Sequence, residues 1–167
     1  MKITQKDFDD TAEVAGLLAK IDNLNSEDVN TLSDEIFKRQ PFFLTVLLGY
    51  RLDVTPEEHE EIMKIYFLIW KYFRTKKNVQ TKPVTENYFE KVQNRHIKML
   101  KYVEGEPTEN DKMNIYSYDL GNLKSKALLT AVLYRYNSRQ TLIKMDKKSK
   151  GISFVGIKSF IECFETI

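Results

Sequence analysis

The stretch Thr55–Arg74, TPEEHEEIMKIYFLIWKYFR, decides the fold class. Thr55 followed by Pro56 is a helix start, because the threonine oxygen can accept a first-turn N–H and proline suits the first helical position. Glu57, Glu58, Glu60 and Glu61 then fall where carboxylates meet the positive end of the helix dipole. Ile62, Ile65, Tyr66, Ile69, Trp70 and Phe73 recur at helical spacing, and Met63, Phe67 and Leu68 widen that face. Only Lys64, Lys71 and Arg74 keep a polar stripe. A helix this apolar belongs at the centre of a bundle or under a partner.

Outward from it, start and stop signals repeat. Asp7 to Asp22 predicts one helix, with acids in its first turn. Ser26 predicts the cap of a second, broken at Pro41. Phe42 to Leu52 is apolar nearly all round, with small positions at Thr45 and Gly49, four apart, where another backbone could come close. Thr85 and Glu86 open an amphipathic helix that Gly105 and Pro107 end. Thr108 with Asp111 resembles a capping box for a short helix to Leu120. Lys124 to Tyr136 predicts another helix, and Ile157 to Phe164 a last one. Between them, TLIKM, DKKSKG and ISFV predict a small β-hairpin near 140–155, with an irregular basic loop as the other reading.

The expected fold is therefore mainly α: about six to eight helices in a compact bundle or repeat-like array. The length of 167 residues suits one domain, 1–167. The polar stretch TKKNVQTKP, 75–83, allows two lobes, 1–74 and 84–167. Their charges differ in sign. Residues 1–73 hold 8 Lys/Arg against 14 Asp/Glu, and residues 74–167 hold 18 against 10. Such polarity points to a partner or to head-to-tail pairing of copies.

Catalytic patterns are missing. There is no phosphate-cradling glycine loop and no nucleophile elbow. His59-Glu60 with Met63 falls short of a zinc helix, since Met63 stands where the second histidine is needed, and the chain has 2 histidines. The acids at 57–61 and 7–10 read as solvated first turns. The lone Cys163 sits in an apolar run and reads as a small buried hydrophobe. No enzyme, cofactor or metal is expected. The N-terminal MKITQKDFDD lacks an apolar segment and no run is long enough to span a bilayer, so a cytoplasmic protein without a membrane is expected.

Two partner chemistries remain. Two consecutive apolar segments, Phe42–Leu52 and Ile62–Phe73, either pack together as core or leave an aromatic patch for another protein or a second copy. Tyr66, Trp70 and Phe73 are the candidate interface residues. The expected function is a non-enzymatic helical interaction or self-associating module. The alternative is nucleic-acid binding through Arg135, Arg139, Lys144, Lys147, Lys148 and Lys150, with Tyr134 and Tyr136 beside them to stack on bases.

Overall fold

The computed structural model describes residues 4–105, 108–110 and 121–167. Among these residues the chain is all-α. Its elements are α1 (Gln5–Asp22), α2 (Ser26–Arg39), α3 (Pro41–Gly49), a 3-10 turn (Tyr50–Leu52), α4 (Pro56–Phe73), α5 (Lys77–Thr81), α6 (Glu86–Glu104), α7 (Lys126–Ser138), α8 (Gln140–Lys144) and α9 (Lys147–Thr166). Asp111 and the short helix expected up to Leu120 lie outside the described residues.

The predicted starts carry real caps. Thr55 and Glu58 form a reciprocal capping box at α4. At α2 the cap is Asn25, one residue before the expected Ser26, with Asp28 returning the bond.

The hairpin expected near 140–155 is not there. Asp146 accepts from the Ser149 N–H and so starts α9, a helix of 20 residues that absorbs both ISFV and the expected final helix. Ser153, inside the expected second strand, and Gly156, just past it, are contact residues of that helix. Buried Ser153 pairs with the Tyr136 hydroxyl at 2.7 Å, and Gly156 faces Tyr50.

Helix α4 is the axis of the molecule, packing against α1, α3, α7, α8 and α9. From Ile65 to Trp70 every residue is buried. Aromatic rings join the two halves of the chain. Phe43 stacks on Tyr66 with centroids 4.6 Å apart, Phe89 stacks on Phe160 at 4.2 Å, and Phe43 meets both Phe160 and Phe164 edge-on. One hydrophobic cluster thus runs from Val14 to Phe164. The polar stretch 75–83 is itself tied down. It contains α5, with Val79 buried, and the buried Gln40 amide donates to the Val79 and Lys82 carbonyls and accepts from the Val84 N–H. The Val79 carbonyl and the Val84 N–H would otherwise be buried without that partner.

Gly156 makes a sharp test of this packing. A Cβ there would sit 2.3 Å from the Tyr50 hydroxyl oxygen but 3.6 Å from the next ring carbon. Gly156→Ala is expected to destabilise by about 1–3 kcal/mol through overpacking. In a Tyr50→Phe background the offending oxygen is gone. The same substitution should there be neutral, or stabilising by up to about 1 kcal/mol, as alanine outranks glycine inside a helix. Urea unfolding of the four proteins in a double-mutant cycle checks this. Equal effects in both backgrounds would refute the contact.

Candidate functional site

The sequence-derived interface residues are core. Tyr66, Trp70 and Phe73 each have 0% exposure. They lie on the side of α4 enclosed by α3 and α9, where Tyr66 contacts Phe43 and Phe160, and Phe73 contacts Phe164. The aromatic patch expected from them does not exist on this surface, because α9 is long enough to cover it.

The basic cluster divides. Arg135 is buried, and its guanidinium pairs with Asp22 at 2.9 Å and Glu61 at 3.2 Å. Arg139 pairs with the other oxygen of Asp22 at 2.6 Å. Both arginines therefore clamp α7 to the end of α1 and, through Arg135, to the start of α4. Arg135 is removed from the candidate anion contacts by its burial, and Glu61 is no solvated first-turn acid. Tyr136 is buried too. Lys144, Lys147 and Lys148 are exposed and make no ion pair among the described residues, while the Lys150 ammonium donates to the Ile143 carbonyl.

His59 is half-buried and its Nε2 lies 2.9 Å from the Leu47 carbonyl oxygen, which ties the end of α3 to the first turn of α4. Among the described residues no three His, Cys, Asp or Glu side chains gather as a metal site. Burial, with the Glu162 charge nearby, pushes the Cys163 thiol up to about 12, so it is no nucleophile at neutral pH. No helix among the described residues is long and apolar enough to cross a membrane.

What stays open is the outer face of α3. Its backbone remains helical through Gly49 and Tyr50 into the 3-10 turn. Phe43, Leu47 and Tyr50 point into the core. The opposite face presents Pro41, Thr45, Leu48, Gly49 and Leu52, all exposed, with Leu44 half-buried at the edge. Leu48 is 48% exposed and Leu52 is 89% exposed. Apart from its own helix, no described residue lies within 4 Å of a Cβ placed on Gly49. Among the described residues the other exposed large hydrophobic residues come one to a helix: Phe8, Phe37, Tyr102, Tyr134, Ile143 and Ile152. Single exposed apolar residues are normal, whereas two large ones one turn apart form a patch. The charge on the Pro41–Leu52 segment is confined to Arg51.

Comparison with known proteins settles no family. No family model, characterised protein or solved structure matches this chain at a significant level.

Proposed function

We propose that this protein is a non-enzymatic helical module that binds another protein, or a second copy of itself, through the outer face of α3. One observation carries it: Leu48 and Leu52 are exposed one turn apart beside Thr45 and Gly49. Two large aliphatic anchors next to small positions let a partner helix approach closely, and removing them from water would supply the driving force. The opposite charges of the two halves would favour an antiparallel or head-to-tail arrangement of copies.

Light scattering after size exclusion tests the second-copy form. The wild type is expected to gain mass as concentration rises, and Leu48→Glu with Leu52→Glu to stay monomeric with an unchanged melting curve. A wild type that stays monomeric up to about 100 μM would exclude self-association tighter than that. A photo-crosslinking residue at position 48 then tests for another protein in cells, and no adduct there ends the proposal.

The second reading is nucleic-acid binding. Its support is Lys147 and Lys148 in the first turn of α9, where positive charge opposes the helix dipole; neither ammonium is in an ion pair among the described residues, although the capping Asp146 carboxylate lies near Lys148. Lys144 adds to the same end. Nucleic acid that co-elutes at low salt, leaves at high salt and is lost in Lys147→Glu with Lys148→Glu would favour this reading over the first.

A further inference from the structure

A cavity of about 310 Å³ opens between α6, the last turns of α9 and the residues that lead into α7. Two carboxylates line it, Glu162 and Glu165, and their presence alone would suggest a cation. Every oxygen of the pair already faces a protein nitrogen. Glu162 holds Arg95 with one oxygen and lies 2.8 Å from His96 Nε2 with the other. Glu165 accepts the Ser125 N–H at 2.6 Å and the Lys124 N–H at 3.1 Å, so it caps the start of α7 from across the fold. The acids are clasps.

The unspent groups are donors. Lys124 and Asn122 line the cavity and are exposed, and the Lys124 ammonium and the Asn122 amide make no hydrogen bond or ion pair among the described residues. Arg95 engages Glu162 through Nη2, which leaves its other guanidinium nitrogens without an acceptor among the described residues. Orienting one edge of a guanidinium on a carboxylate fixes the rest of the fork, the geometry that suits a second anion. Beside these donors stand Leu123, which is buried, and Met99, half-buried, as an apolar wall. A few convergent polar groups on an apolar wall are the ordinary make-up of a small-molecule pocket, and this volume lies at the small end of that range.

We infer that the cavity binds a small organic anion, a carboxylate or phosphate monoester, with its charge on Arg95 and Lys124 and its apolar body on Met99 and Leu123. The site is separate from the α3 face and stands or falls independently of it.

Amide-resolved NMR of the full chain tests this with phenyl phosphate and benzoate as probes and benzyl alcohol as the neutral control, at about 0.15 M salt. At least one anion is expected to give saturable shifts at 95–99, 122–125 and 162–166 with a Kd below about 1 mM, and the alcohol none. Whichever anion saturates identifies the headgroup. Lys124→Gln should weaken binding about tenfold with no change in melting temperature, since its ammonium has no partner to lose among the described residues. Arg95→Lys keeps a charge for Glu162 but loses the fork, and should weaken it further. Shifts that stay linear to about 10 mM, that fall mainly on Lys144, Lys147 and Lys148, or that are unaltered by Lys124→Gln would overturn the inference.

Discussion

Trp70→Ala is expected to destabilise the fold by about 3–5 kcal/mol, the range for deleting a large aromatic side chain from a core. Trp70 has no exposed surface and is the largest of the fully buried side chains. It lies in α4, which contacts five other helices, so no single neighbour can collapse into the vacated volume. Trp70→Phe should cost well under half as much. Phenylalanine fills most of the space, and the indole N–H it removes is buried without an acceptor among the described residues, a cost to the native state that the substitution relieves. Urea unfolding monitored by far-ultraviolet circular dichroism measures both variants. Fluorescence would not serve, because Trp70 is the chain's 1 tryptophan. A Trp70→Ala protein that unfolds with the wild type but no longer associates would restore Trp70 to an interface and contradict its burial.

Burial reverses the role that Trp70 suggests in the sequence, and the reversal shows where sequence information ends. The helix from Pro56 to Phe73 is legible because cap, acids and apolar period all lie within one turn of each other. What covers its apolar face is not local. Coverage comes from α9, whose first turns, DKKSKG, mimic a hairpin turn and whose apolar run ISFV mimics a strand. Ser153 and Gly156 meet Tyr136 and Tyr50, partners too far away in sequence for a local pattern to reveal. The α3 face is half legible. Spacing puts Thr45 and Gly49 on one side, but a helix apolar nearly all round carries no period to say which side faces water. The cavity by α6 has no signal in the sequence at all, since Arg95 and Lys124 meet Glu162 and Glu165 only through the packing of α9.

Arg135→Met is expected to cost about 3 kcal/mol, near the lower end of the loss caused by removing one partner of a buried ion pair. The basic run around it suggests a surface patch, yet its partners lie 113 and 74 positions away in sequence, beyond the reach of any local pattern. The loss falls near the low end because neither acid is left alone. Asp22 keeps Arg139, and Glu61 keeps Lys64 at 3.5 Å. The source of the loss can be isolated. If it lies in acids left short of a partner, then adding Asp22→Asn and Glu61→Gln to Arg135→Met should recover a large part of it, since a buried pair itself adds little over neutral groups of similar shape. Acid supplies a second check. Burial raises the Asp22 carboxyl, but the hydrogen bond and charge of Arg135 and the charge of Arg139 outweigh it and hold the group below its ordinary 3.8. A carboxylate depressed in the folded state stabilises above its unfolded value, and that contribution is lost as pH falls through the folded one. The wild type should therefore lose this increment below pH 3.8, while Arg135→Met, lacking the main lowering partner, has less to lose there. The gap between the two proteins should be widest near neutrality and narrow as Asp22 protonates. A gap that is constant with pH, or a triple variant no better than Arg135→Met, would mean that Arg135 acts through its packed stem and not through its charge.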